Sequence, residues 1–291
     1  MDTLGLGDQL VGISHECDFP EGLLKLPRVS RPRFDPTSLA SGEIDRAVRE
    51  AMATYGSVYE IDTTILATLN PSIVLTQAVC EVCAVPTSGV QEALGSLGLE
   101  AEIISLDAHS IEDILDSLIQ VGEAVGHVAV AQTKALALRD RLSTVQEAVS
   151  QAPRIRVLAI EWLDPPFAPG HWVPEMVEIA GAENLIGTPG QPSHQVVWSD
   201  LQGLDPDALI IMPCGYGLEA AYADADKSRD RLVEIAPRAI SERRAFVVDA
   251  SAYFNRSGPR FVTGVEILAG LLHPTCWPAA AAEHATVWSA N

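Results

Sequence analysis

The stretch Ile155-Arg156-Val157-Leu158-Ala159-Ile160, followed at once by Glu161-Trp162, decides the fold. A six-residue run of mostly branched aliphatic side chains, with Pro153 just before it, reads as a buried strand. Charged and aromatic residues follow it, where a plain turn would suffice. The same arrangement recurs along the chain. Residues 10–13 run into Ser14-His15-Glu16-Cys17-Asp18, and residues 73–75 run into Thr76-Gln77 and then Cys80-x-x-Cys83. Residues 209–212 lead to Pro213-Cys214-Gly215, and residues 246–248 lead to Asp249, Tyr253, Phe254 and Arg256. Alternation of such runs with helix-period segments is the pattern of a parallel sheet covered on both faces. Ligands of open α/β sheets bind outside the carboxyl ends of the strands, so five decorated strand ends predict one composite site.

The helical segments organise the chain. Residues 41–53 read as an amphipathic helix with Ser41 as its cap, and residues 111–124 as another, ended near Gly126. Residues 128–149 form a long helix without interior Gly or Pro, stopped by Gln151-Ala152-Pro153. A long helix at mid-chain with α/β segments on both sides predicts two Rossmann-like lobes bridged by that helix, with a ligand cleft between them. The boundaries expected are 1–126 for the first lobe, 127–152 for the bridge and 153–278 for the second lobe. The Ala-rich tail, 279–291, is expected at the periphery. A short internal repeat agrees with two lobes: Leu69-Asn70-Pro71-Ser72-Ile73-Val74-Leu75 resembles Leu204-Asp205-Pro206-Asp207-Ala208-Leu209-Ile210.

Composition narrows the partners. With 39 acidic and 19 basic residues among 291, the net charge is −20, which repels phosphate backbones and argues against nucleic acid. No apolar run approaches the roughly 20 residues of a membrane helix, so the chain is not expected to be membrane-embedded. The N-terminus carries no basic start or apolar stretch of the signal-peptide kind. Together with an odd count of five cysteines, this predicts a cytoplasmic protein with reduced thiols. No Walker-type phosphate loop, Gly-x-Ser-x-Gly elbow or His-Glu-x-x-His occurs.

Several motifs together resemble a known family. They are Ser14-His15-Glu16-Cys17-Asp18-Phe19-Pro20, Thr76-Gln77-x-x-Cys80-x-x-Cys83-Ala84-Val85 and Glu161-Trp162-Leu163-Asp164-Pro165. Gly170-His171-Trp172-Val173-Pro174-Glu175-Met176, Pro213-Cys214-Gly215 and Phe254-Asn255-Arg256-Ser257-Gly258-Pro259-Arg260 follow in the same order. Over about residues 4–277 the chain resembles the cytosolic-type cobalamin-binding branch of the helical-backbone (class III) substrate-binding proteins of ABC importers. The resemblance implies two α/β lobes joined by a rigid helix and holding a corrinoid, such as cobalamin, or a metal chelate. It also implies an ABC transporter permease as a partner. Members of that branch begin with a strand and a Ser-Leu-x-Pro-Ser-x-Thr-Glu motif. Met1 stands just after that point, so the first strand of the first lobe is expected to be missing. Ser257 replaces the usual Pro.

The candidate ligand-binding residues are His15, Glu16, Cys17, Asp18, Gln77, Glu161, Trp162, His171, Trp172, Glu175, Cys214, Gly215, Tyr253, Arg256 and Arg260. Trp162 and Trp172 offer flat apolar walls for a macrocycle, although core packing is the plainer role for one of them. Glu175 sits in a first helical turn, where it also serves as a dipole partner. Arg256 and Arg260 suit a carboxylate, an amide or a phosphate. Cys80 and Cys83 are compatible with half a zinc or iron site, a redox pair or two packed thiols; four ligands would be needed for a closed zinc site. Binding of a small molecule is expected, since no activated nucleophile or complete acid–base set can be named. A metalloprotein or enzyme on the same scaffold is the alternative, and a regulator that has lost its ligand is a third.

Overall fold

The computed structural model describes residues 1–77, 79, 85–278 and 282–290. By internal packing the chain divides into two units, one of Met1–Ala108 with Leu115–Ala135, the other of His109–Ile114 with Leu136–Asn291.

The first unit holds β1 (Ser30–Pro32), α1 (Ser41–Tyr55), β2 (Tyr59–Ile61), α2 (Thr63–Leu69), β3 (Ile73–Thr76), α3 (Thr87–Leu97) and β4 (Glu102–Ser105). Helix α4 (Ile111–Ala124) follows, and α5 (Val128–Val149) begins in this unit and ends in the other. At 1.5 Å per residue, α5 is about 33 Å long. Strands β1 and β2 pair antiparallel, while β3 and β4 pair parallel with Ile73 opposite Glu102. Leu66, Val90, Ala93 and Leu94 form a small core between α2 and α3.

Two local expectations change here. Residues 10–13 do not form a strand; only Ile13 makes a bridge, to Arg28, while Val11 is exposed. An apolar run needs a partner strand on its edge, and a single bridge does not supply a ladder. Ser41 is not the cap of α1 but its first residue, following the N-cap Ala40. The backbone N–H of Ala40 donates to the Glu43 carboxylate at 2.9 Å, the reach-back half of a capping box.

The second unit is built on one five-stranded sheet. Its elements are β5 (Ile155–Ile160), β6 (Trp162–Leu163), β7 (Pro166–Ala168), α6 (Val173–Ile179), β8 (Ala182–Asn184), β9 (His194–Gln195), α7 (Trp198–Leu201) and β10 (Ala208–Ile211). There follow α8 (Leu218–Lys227), α9 (Arg229–Ile235), α10 (Pro237–Ser241), β11 (Ala245–Val248), α11 (Ala250–Tyr253), α12 (Phe261–Leu272) and β12 (Ala285–Val287). The strand order is β12-β11-β10-β5-β8. Four strands run parallel, with Ala208 opposite Val157 and Leu209 opposite Ala245; only β12 is antiparallel. Val157 to Ile160 and Ala208 to Ile211 are wholly buried, as expected of central parallel strands covered on both faces. From β5 the chain passes to β8 on one side, then returns across to β10 and β11 on the other. The topological switch point therefore lies between β5 and β10.

The tail is not peripheral. Strand β12 closes the sheet edge against β11, and Trp288 just beyond it is fully buried in the main core. Its indole N–H donates to Asp226 at 3.0 Å, and the Arg229 guanidinium stands 5.6 Å from its ring. Burying an indole together with its hydrogen bond explains why so short a strand holds its place.

Candidate functional site

The switch point carries the densest set of predicted residues. Glu161 directly follows β5 and is fixed at three points. Its N–H donates to the Phe167 carbonyl at 3.0 Å, its carbonyl accepts from Cys214 N–H at 2.8 Å, and its carboxylate accepts from the Ser193 hydroxyl at 2.5 Å. One residue thus ties the end of β5 to the β6–β7 hairpin and to the loop after β10 through its backbone, and to the segment before β9 through its buried carboxylate. Trp162, half-buried, follows it. Its indole N–H donates to the Asp164 carbonyl at 3.1 Å, and its ring meets Tyr216 edge-on at 5.3 Å between centroids. Burial, with the nearby charge of Asp224, pushes the Tyr216 phenol up to about 12, so it remains a donor across the physiological range.

Gly215 lies exposed beside this pair in the left-handed region, φ 79°, where a side chain would be strained. Its N–H donates to the Asn255 side-chain carbonyl at 3.1 Å, joining the loop after β10 to the segment after α11. On that segment the Arg256 guanidinium donates to the Ser251 hydroxyl at 2.9 Å. The Arg260 guanidinium stands 5.9 Å from the Tyr253 ring, whose hydroxyl pairs with His284 Nδ1 at 3.1 Å.

His171 and Trp172 diverge in role. Trp172 is only 6% exposed and donates its indole N–H to the Phe254 carbonyl at 2.8 Å, which makes it core and leaves Trp162 as the half-exposed indole. His171 has φ 52°, an uncommon conformation for a residue with a side chain. Two backbone bonds impose it: His171 N–H to the Gln191 carbonyl at 2.7 Å, and Gly190 N–H to the His171 carbonyl at 2.9 Å. Its ring lies 5.6 Å from that of His109, and Nδ1 is buried without a hydrogen-bond partner. Burial, reinforced by the neighbouring His109, holds the imidazole below its ordinary range, favouring a neutral ring. Glu175 is not simply a dipole partner of its own helix. Its carboxylate accepts the Ile111 N–H at 3.0 Å at the start of α4, and burial pushes it above the usual carboxylate range.

The first unit gathers its own cluster. His15 Nδ1 pairs with the Ser30 hydroxyl at 2.9 Å, its Nε2 lies 3.3 Å from the Glu16 carboxylate, and its ring meets that of Tyr59 at a tilt of 42°, 4.5 Å between centroids. The Arg28 guanidinium donates to the carbonyls of Ser14, His15 and Cys17, which shapes the turn. The thiol of Cys17 faces the Ser14 hydroxyl at 3.5 Å, and Asp18 is exposed. Gln77 is half-buried past the end of β3. Cys80 and Cys83 lie outside the described residues. Among the described residues, no group of three His, Cys, Asp or Glu side chains is placed to hold a metal ion.

Sequence reasoning missed Ser193, Tyr216 and Asn255, and in the first unit Arg28 and Tyr59. Tyr216 and Asn255 were within reach, one two residues beyond a flagged cysteine and the other next to the flagged Arg256. The others arrive from separate segments and carry no local signal.

A family model described as periplasmic binding protein matches residues 1–249. The chain belongs to the periplasmic binding protein family. It is similar to an uncharacterised ABC transporter substrate-binding lipoprotein of Bacillus subtilis (strain 168), YvrC, at 24% identity over 283 residues, covering 94% of this chain and 76% of the relative. Among solved structures it resembles a periplasmic heme-binding protein from Pseudomonas aeruginosa, with a TM-score of 0.70 and 21% identity over 96% of this chain and 90% of that one. It also resembles the periplasmic vitamin B12 binding protein BtuF of Vibrio cholerae, with a TM-score of 0.64 and 21% identity over 93% and 91% of the two chains. These likenesses bear out the expected class, a mixed α/β chain with the two-lobed fold of this family. No helix among the described residues is long and apolar enough to cross a membrane.

Proposed function

We propose that this family member is the substrate-binding component of an ABC importer, and that its ligand is a metal-chelate macrocycle, a corrinoid in the first instance. The observation that carries this is the aromatic pair Trp162–Tyr216 at the β5–β10 switch point, beside an exposed Gly215. A half-buried indole gives a flat apolar wall, a phenol that stays protonated gives a donor, and a residue without a side chain lets a ring approach the backbone. Arg256 and Asn255 stand on the adjoining segment as polar anchors for amides or carboxylates at a macrocycle's edge. The solved relatives named above support the ligand class, since one is a heme-binding protein and the other a vitamin B12 binding protein. A permease partner follows from the substrate-binding role.

The test is gel filtration of the purified protein with hydroxocobalamin or with ferric protoporphyrin IX. Stoichiometric co-elution of hydroxocobalamin with a shifted spectrum supports the corrinoid. Co-elution of the porphyrin alone keeps the macrocycle and replaces the corrinoid. Co-elution of neither overturns the proposal.

A further inference from the structure

A concavity lies at the end of the same sheet opposite the switch point. Its volume is about 490 Å³, and its apolar wall is formed by Ala148, Ala152, Pro153, Ile155, Leu272 and Pro274. Ile155 opens β5 here, while the switch-point residues follow its far end. Five residue steps at about 3.3 Å put roughly 17 Å of strand between the two places. The volume falls within the roughly 300–1,000 Å³ usual for small-molecule sites.

Three further lining residues give this cavity its chemistry. Arg244 is held by two carbonyls, its Nε donating to Asp207 at 3.1 Å and its Nη2 to Leu272 at 3.4 Å. A guanidinium carries five N–H donors, so this tether fixes its plane and leaves Nη1 to donate elsewhere. His273 is buried, and its Nε2 lies 3.2 Å from the Gly181 carbonyl. A carbonyl only accepts, so Nε2 carries the proton and Nδ1 is left as an acceptor. Cys276 is an exposed free thiol at the rim, placed by its N–H donating to the His273 carbonyl at 2.9 Å. Among the described residues no carboxylate lines the cavity, in a chain with 39 acidic side chains and a net charge of −20. Among the described lining residues the one charged group is the cation Arg244. The local sign is therefore opposite to that of the molecule.

We propose that this cavity is a second binding site, for a small carboxylate with an apolar body. The carboxylate is taken by Arg244, a donor on the ligand by His273 Nδ1, and the hydrocarbon part by the apolar wall. It is separate from the switch-point site and does not depend on the macrocycle proposal.

Cys276 supplies the readout. The rate of its alkylation by iodoacetamide is followed by peptide mass spectrometry, with hexanoate or 3-phenylpropionate as the probe and hexanol or 3-phenylpropanol as the matched neutral control. At ten times its dissociation constant a competing ligand leaves about one site in eleven open, so a carboxylate is expected to slow alkylation about tenfold. The alcohols are expected to leave the rate unchanged, and Arg244→Gln to abolish the protection. Because Arg244 also holds backbone carbonyls, Ala148→Trp is the companion variant; it fills the mouth from the exposed end of α5 and is expected to abolish protection in a folded protein. Absence of protection by either carboxylate, equal protection by the alcohols, or protection that survives Ala148→Trp would overturn the site.

Discussion

At the scale of single residues, Glu161 and Trp162 are neighbours with different work. Glu161 organises strand ends, so its loss is read as stability. Glu161→Ala leaves the half-buried Ser193 hydroxyl without its acceptor, a cost of about 1 kcal/mol, whereas Glu161→Gln keeps an oxygen there and is expected to lose less. Urea unfolding of the two variants checks the order. His171 and Glu161 were visible in the sequence as polar residues after an apolar run. Their opposite settings were not, because His171 owes its strained backbone to Gln191 and Gly190, and Glu161 owes its partner to Ser193, all some 20 to 30 positions away. Trp162 and Trp172 look alike in sequence, yet only contact with Phe254 makes the second one core.

At the scale of elements, the central strands β5, β10 and β11 were legible because they are buried on both faces and read as continuous apolar runs. The repeat was legible too. Asn70 and Asp205, its matching positions, both adopt left-handed backbone, φ 43° and 44°, just before a proline and a parallel strand. Strand β12 was not legible: three residues after an Ala-rich run carry little pattern, and its hold comes from Trp288. Trp288→Ala is expected to cost about 3–5 kcal/mol by chemical denaturation, the usual range for emptying an indole-sized core position.

The junction of α6 with the first turn of α4 has a pH signature. Glu175 titrates above its unfolded value because burial, helped by the charges of Asp113 and Glu178, outweighs the Ile111 hydrogen bond. The folded state therefore holds this proton more tightly than the unfolded state. The resulting stability is present below the unfolded carboxylate pKa, and it is lost as pH rises through the raised folded value. Glu175→Gln removes that loss. Its melting temperature, relative to wild type, is expected to rise with pH across that window and then level off; a difference flat in pH would contradict the burial account.

At the scale of the molecule, the parallel sheet directs the search for a ligand site to its switch point, the carboxyl ends of β5 and β10. The sequence marked both among five decorated strand ends, of which residues 10–13 proved not to be a strand. It could not rank them, because ranking depends on which side chains stay half-exposed after packing. Each described unit keeps its own polar cluster, built around His15 and Arg28 in one and around Glu161, Trp162 and Tyr216 in the other. A macrocycle that binds the native state raises the melting temperature by mass action, by about 2.7 kcal/mol of stability at one hundred times its dissociation constant. Differential scanning fluorimetry with hydroxocobalamin and with ferric protoporphyrin IX registers that shift for the preferred ligand.

The most direct measurement is a parallel absorbance titration of wild type and Trp162→Ala with those two macrocycles. The expected result is saturation of wild type at one equivalent by one of them. Binding by the variant is expected to be weaker by about thirtyfold, the effect of removing an aromatic anchor worth about 2 kcal/mol. Equal affinity of the two proteins, or no saturation of wild type by either macrocycle, would contradict the placement of the ligand at the switch point.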